Sequence, residues 1–290
     1  MAERALVLGG GGPVGIAWEI GLAAGLAEQG IELAKAGRIV GTSAGSFVGA
    51  QLASGRSPAS LVASQVEQAQ RDAARKGSGK APASAPDLSP LMKFMARRPA
   101  DEVEAQALRV EIGAFALAAK TMPEEAFIAS FGHVASGKEG WPTGYACTAV
   151  DAEDGRFVVW DEHSGIELGR GIASSCSVPG IFPPITIKGR RYVDGGMRSA
   201  TNFDLAKGCE RVLAVAVLSN AAVDFMRARI EGEVEALRAS GAKVELVTPN
   251  QECLDAFGLN LMDGSRRGEI AAAGVRQGRA EVERLRAFWN

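Results

Sequence analysis

Ser43 is the residue whose surroundings point most directly to chemistry. It lies in Gly41-Thr42-Ser43-Ala44-Gly45, after the strand-like Arg38-Ile39-Val40 and before the apolar, helix-like Phe47-Val48-Gly49-Ala50-Gln51-Leu52. Gly-x-Ser-x-Gly between a strand and a helix is the pattern of a nucleophile elbow. The reason is steric. A serine at the tip of so sharp a turn sits on a strained backbone, and the flanking residues must lack side chains for strand and helix to approach. The hydroxyl then projects above the sheet at a helix N-terminus, where negative charge is favoured. The same residues also fit a tight turn with a capping serine.

A nucleophilic serine needs a base to take its proton. The chain has two histidines, His133 and His163. His163 lies in the turn-like Asp161-Glu162-His163-Ser164-Gly165, and neither histidine closes a strand in a way that aims it at Ser43. A Ser-His-Asp triad stays open but has little support. Asp194 is the better candidate, because it ends the strand-like Arg191-Tyr192-Val193 and is followed by Gly195 and Gly196. A carboxylate there meets a backbone that other groups can approach closely. Asp-Gly is also an ordinary hairpin turn.

The third feature is the run Gly9-Gly10-Gly11-Gly12-Pro13-Val14-Gly15. Residues 10–15 satisfy G-x-G-x-x-G, which invites a dinucleotide reading. A Rossmann site also wants an acidic residue at the end of the second strand, and that strand instead ends in Gly41-Thr42-Ser43. No Gly-Lys-Ser/Thr follows, so a P-loop is excluded. The other use of consecutive glycines at a helix N-terminus is an oxyanion hole. Bare backbone N–H groups point at one spot, and no side chain blocks a carbonyl.

The elements that must position these residues alternate between strands and helices. Ala5–Leu8 reads as a strand buried on both faces, followed by a helix that stops near Gly30. Residues 56–70 read as helical. Residues 71–100, with Pro82, Pro86, Pro90 and Pro99, read as a linker with short helical pieces, either a lid or a solvated insertion. Helices are expected over 101–120 and 123–131, and a hairpin over 145–160. A helix is expected over 169–175, and a second hairpin ends at Asp194. The pattern closes with a strand over 212–218, a helix over 222–240, a strand at Lys243–Val247, and a charged helix over 265–288 with a solvated face. This alternation implies one α/β domain across 1–290 with a mostly parallel sheet.

The chain has 290 residues, 47% of them hydrophobic, and a net charge of −2. That is enough for a large core, and no basic field points to nucleic acid. Cys147, Cys176, Cys209 and Cys253 have no metal-ligand or redox spacing. They fit buried, reduced thiols in a cytoplasmic protein. The N-terminus lacks the basic and apolar run of a signal peptide.

Four stretches in this order resemble the patatin-like phospholipase family: Gly10–Gly15, Gly41–Gly45, the Ala173–Pro184 segment (ASSCSVPGIFPP) and Asp194-Gly195-Gly196. The resemblance implies a three-layer α/β fold with a nucleophile elbow, and a Ser-Asp dyad. Ser43 would be the nucleophile, Asp194 the base, and the N–H groups of Gly10, Gly11 and Gly12 the oxyanion hole. Gly15, Gly41, Gly45, Gly195 and Gly196 would shape the turns. The implied reaction is hydrolysis of a lipid ester through an acyl-enzyme, with no cofactor and no metal. Transient contact with a membrane surface is compatible with it. One departure stands out: the family usually has Arg or Lys where this chain has Val14. Its absence favours neutral esters over phospholipids, or an acyl-binding protein with little turnover. An apolar acyl pocket is expected between the 178–184 segment and the helices of 101–131.

Overall fold

The computed structural model describes residues 3–77, 86–132, 134, 140–218 and 223–290. Among these, one sheet is built from β1 (Arg4–Leu8), β2 (Arg38–Gly41), β3 (Tyr145–Asp151), β4 (Phe157–Asp161), β5 (Ile185–Ile187), β6 (Arg190–Asp194), β7 (Arg211–Val215) and β8 (Lys243–Val247). The order is β5-β6-β3-β2-β1-β7-β8, with β4 also on β3. From β3 to β8 the pairings are parallel, while β4, β5 and β6 join antiparallel. β1 and β7 are apolar almost throughout because a strand covered on both faces has no solvated side.

The helices are α1 (Gly12–Ala27), α2 (Ala44–Ala53), α3 (Pro58–Gly77), α4 (Ser89–Met95), α5 (Glu102–Ala118), α6 (Glu124–Ala129), α7 (Leu168–Ser175), α8 (Val223–Ala239), α9 (Gln251–Phe257) and α10 (Arg267–Trp289). Alternation along β1 separates the layers. Leu6 and Leu8 join one core with residues of α1, α2 and α10, whereas Ala5 and Val7 join another with Ile230, Val234 and Leu237 of α8. The result is the expected three-layer fold.

The pairing of β3 explains how two distant motifs meet. β4 runs along β3 from Ala146 to Val150, so it occupies one edge. β2 pairs with Tyr145–Cys147 and β6 with Ala149–Asp151, and both overlap β4 in register. Both therefore lie on the opposite edge. β2 leaves that edge at Gly41, opposite Cys147, and β6 enters with Asp194 opposite Ala149. The strand before the elbow and the strand ending in Asp194 thus face each other end to end along one edge of β3.

Two expectations change. The helix over 56–70 continues to Gly77, and α4 forms at Ser89–Met95, while residues 78–85 lie outside the described residues. The C-terminal helix is more than a solvated charged face. α10 buries Ile270, Ala271, Leu285 and Trp289, and Trp18 Nε1 on α1 donates to Gln277 Oε1 at 3.0 Å. The face is made of glycine, which carries no hydropathy signal. A Cβ at Gly21 would lie 2.2 Å from the Ala271 carbonyl oxygen, and one at Gly278 would lie 2.4 Å from that of Leu22. Glycines four apart on both helices let the backbones touch.

Candidate active site

Ser43 sits between β2 and α2 with φ 52° and ψ −117°, left-handed backbone that a non-glycine residue rarely adopts. Such a conformation costs about 1–3 kcal/mol and persists only where its surroundings fix it. They do so here. Ser43 N–H donates to Ser175 Oγ at 3.0 Å, and the Ser43 carbonyl accepts from Cys176 Sγ at 3.1 Å and Ser46 Oγ at 2.6 Å. The flanking glycines are needed for clearance. A Cβ at Gly41 would lie 2.4 Å from the Gly45 carbonyl oxygen, and one at Gly45 would lie 2.2 Å from that of Leu8.

Asp194 ends β6, with its N–H donating to the Ser177 carbonyl at 3.0 Å and its Oδ1 accepting from Gly196 N–H at 2.7 Å. The Ser43 side chain interacts with the same carboxyl and favours its ionised form. Burial pushes the Asp194 pKa up to about 7, although Ser43 and Gly196 pull the other way. Burial prevails because the group is 2% exposed and an ion there has lost its water. The carboxyl therefore changes charge near neutrality while in contact with a serine hydroxyl.

The glycine run lies against this pair. A Cβ at Gly10 would approach Ser43 Cβ to 3.3 Å, and one at Gly15 would reach Ala44 Cβ at the same distance. Gly10 N–H donates to the Ala200 carbonyl at 2.7 Å. The N–H groups of Gly11, the cap of α1, and of Gly12, its first residue, have no protein acceptor among the described residues. They lie at the positive end of a 16-residue helix. Val14 is fully buried, and its N–H donates to the Leu261 carbonyl at 3.2 Å. The position that usually carries a cation is thus part of the core here.

His163 is on the turn after β4 with its side chain 85% exposed. The neighbouring Glu162 bonds Gly144 N–H, at the end of the sheet opposite the elbow. His133 lies outside the described residues. Among the described residues no cluster of three or more His, Cys, Asp or Glu could hold a metal. The expected acyl-pocket segment does pack on the expected helices. Phe182 stacks on Phe127 of α6 at 4.4 Å, and Gly180 lies against the Phe115 ring of α5.

Several supporting residues had no role assigned to them from the sequence, although 175–177 lie within the recognised ASSCSVPGIFPP stretch. The Ser175-Cys176-Ser177 stretch grips the Ser43 backbone with its first two residues and the Asp194 backbone with the third. Asn202 Nδ2 donates to Thr42 Oγ1 at 3.0 Å, and Thr42 Oγ1 meets Thr148 Oγ1 at 3.0 Å. Glu233 of α8 accepts from Ser199 and Thr201 hydroxyls at 2.6 Å each, bracketing Ala200, whose carbonyl holds Gly10. For 199–202 the one available signal was the density of small hydroxyl residues.

The family model for the patatin-like phospholipases matches residues 6–207, which include every motif described above. The chain belongs to this family. Patatin-like phospholipases are lipid hydrolases, and the layered sheet and elbow are their fold. No curated protein matches the chain. It is similar in structure to VipD from Legionella pneumophila, with a TM-score of 0.49 and 12% identity over 97% of this chain and 67% of VipD. Similarity to the type III effector ExoU has a TM-score of 0.43 and 17% identity, and again covers 97% of this chain but 53% of ExoU. The ExoU–SpcU complex from Pseudomonas aeruginosa matches with a TM-score of 0.43 and 20% identity over 51% of that chain. The present patatin chain thus spans about half the length of ExoU. Among its described residues no helix is long and apolar enough to cross a membrane.

Proposed function

We propose that this patatin is a serine acyl hydrolase that cleaves carboxylic esters of lipids through Ser43 and Asp194. The observation that carries the proposal is the strained Ser43 turn, fixed by Ser175, Ser46 and Cys176, set against the buried carboxyl of Asp194. Asp194, ionised, accepts the Ser43 proton as Oγ attacks the ester carbonyl carbon. The tetrahedral oxyanion is received by the N–H groups of Gly11 and Gly12 at the start of α1. Gly10 has its N–H committed to Ala200, so its part is to shape the loop. As the intermediate collapses, Asp194 returns the proton to the departing alkoxide and an acyl-Ser43 ester remains. Water, deprotonated by the same carboxylate, then hydrolyses it. His163, on its exposed turn, takes no part.

The alternative is an acyl-binding protein with little turnover, and the buried Val14 is what favours it. A fluorophosphonate probe and a p-nitrophenyl ester series separate the two readings. Hydrolysis is expected for the wild type, with losses of at least about a thousandfold in Ser43→Ala and Asp194→Asn, as for removal of a nucleophile or its base. His163→Ala is expected to match the wild type. A wild type that neither turns over any ester nor reacts with the probe would leave only the binding reading.

A further inference from the structure

The turn that starts α1 has a neighbour that the ester chemistry does not use. Residues 260–264, between α9 and α10, fold back onto it. Val14 N–H donates to the Leu261 carbonyl at 3.2 Å, and a Cβ at Gly264 would lie 3.1 Å from Pro13 Cβ. The loop is also braced internally. Met262 N–H donates to Asn260 Oδ1 at 2.9 Å, and Asp263 N–H to the Asn260 carbonyl at 2.9 Å. So fixed, it lays the Met262 side chain on the turn. A Cβ at Gly12 would lie 2.9 Å from Met262 Sδ and 2.7 Å from the Leu261 carbonyl oxygen. Met262 is only partly buried, which leaves it within reach of a small solute.

A thioether suits this place. Its sulfur is a weak acceptor, so the Gly11 and Gly12 N–H groups stay available. A sulfoxide does not suit it. Oxidation turns a flexible apolar side chain into a polar one. The new oxygen is a strong acceptor carrying partial negative charge, which the positive end of a helix favours. That helix is α1, 16 residues long. The added oxygen sits one bond from a sulfur already in contact with Gly12, and the Leu261 carbonyl closes another side of the same space. Met92 and Met122 are more exposed, at 52% and 43%, but the sulfur against a glycine of this turn is that of Met262.

We infer that Met262 is a modification site, at which a peroxide converts the thioether to a sulfoxide whose oxygen takes the N–H groups of the glycine turn and stops acylation of Ser43. The inference rests on the reading of this turn as the oxyanion hole. In the step itself the sulfur attacks one peroxide oxygen as the O–O bond breaks. Sulfur is oxidised, the transferred oxygen gives its proton to the departing one, and hydrogen peroxide leaves as water. An organic hydroperoxide would leave as the alcohol. Methionine sulfoxide reductases reverse the change, so the block is a switch and not permanent damage.

The test treats the full-length protein with hydrogen peroxide and reads Met262 oxidation by peptide mass spectrometry. Two signals are followed: fluorophosphonate labelling of Ser43, and the glycine amide resonances of isotope-labelled protein. Labelling is expected to slow by at least about tenfold as Met262 is oxidised, since losing even one oxyanion donor costs more than that. The Gly12 amide proton is expected to move downfield. Methionine sulfoxide reductases should reverse both changes, and dithiothreitol alone neither. Met262→Leu is close in volume and forms no sulfoxide. After peroxide it is expected to keep its own untreated labelling rate, while Met92→Leu/Met122→Leu slows like the wild type. Oxidised Met262 with labelling and the Gly12 amide unchanged would overturn the inference. So would a Met262→Leu protein that slows as much as the wild type, or a Met262 that stays reduced while Met92 is oxidised. Recovery with dithiothreitol alone would assign the loss to a cysteine instead. If the untreated wild type does not label at all, the hydrolase reading fails, and the Gly12 amide still decides whether the sulfoxide engages the turn.

Discussion

A carboxyl buried against a serine hydroxyl has two settings, and pH selects between them. Protonated Asp194 cannot accept the Ser43 proton, so kcat/KM for a neutral ester should rise with pH through about 7 and then level off. Activity that stays flat from pH 5.5 to 8.5, with chemistry rate-limiting, would remove Asp194 as the base. Stability should run the opposite way. The folded pKa lies above the unfolded value of about 3.9, so the folded state holds its proton more tightly. The benefit is complete below about pH 4 and is lost as pH rises through about 7, by up to about 4 kcal/mol. Asp194→Asn, which never ionises, should therefore melt above the wild type at pH 8.5, with the gap closing by pH 5. Ser43 and Asp194 were legible in the sequence because each ends a strand beside obligatory glycines. Ser175 and Cys176 were legible only as part of the ASSCSVPGIFPP stretch and not by role, and Asn202 and Glu233 stood outside every motif, because holding backbone and neighbouring hydroxyls is a task with no fixed residue spacing.

At the scale of elements, hydrophobic runs revealed nearly every strand, since a strand covered on both faces must be apolar. The glycine-faced contact of α1 with α10 escaped for the converse reason: close backbone approach is specified by what is missing. This contact also holds the helix that begins at Gly12, the turn proposed to receive the oxyanion. Gly278→Leu would force a side chain into the α1 backbone and should cost about 3 kcal/mol or prevent folding. Gly278→Ala should cost less, because the helices need separate by only one methyl group. The urea midpoints of the two variants provide the comparison. A leucine variant as stable as the wild type would mean that α10 is free to shift along α1, contrary to the close fit at Gly21, Gly25, Gly274 and Gly278.

For the molecule as a whole, the question is whether the region after residue 207, beyond the family match, only completes the sheet or helps to build the site. Three contacts favour the second role. Leu261 accepts the Val14 N–H, Val217 packs against Gly11 and Gly15, and Glu233 holds Ser199 and Thr201 on either side of the carbonyl that fixes Gly10. The last is the most easily tested, since Glu233 is on a surface helix with its side chain 20% exposed. In Glu233→Ala both hydroxyls lose their acceptor, and the 199–202 segment loses its tie to α8. The Gly10 to Gly12 turn should then sample geometries in which two N–H groups no longer converge on the oxyanion, and losing such donors costs orders of magnitude in rate. Partial misalignment should slow fluorophosphonate labelling of Ser43 by about tenfold, with a melting temperature within a few degrees of wild type. Glu233→Gln, which keeps one carbonyl acceptor, should fall between the two. If labelling is unchanged while melting drops, α8 supports the fold alone. If labelling slows without a matching loss of stability, the site extends across the whole chain, with its base on β6, its nucleophile after β2, and its oxyanion turn braced from α8.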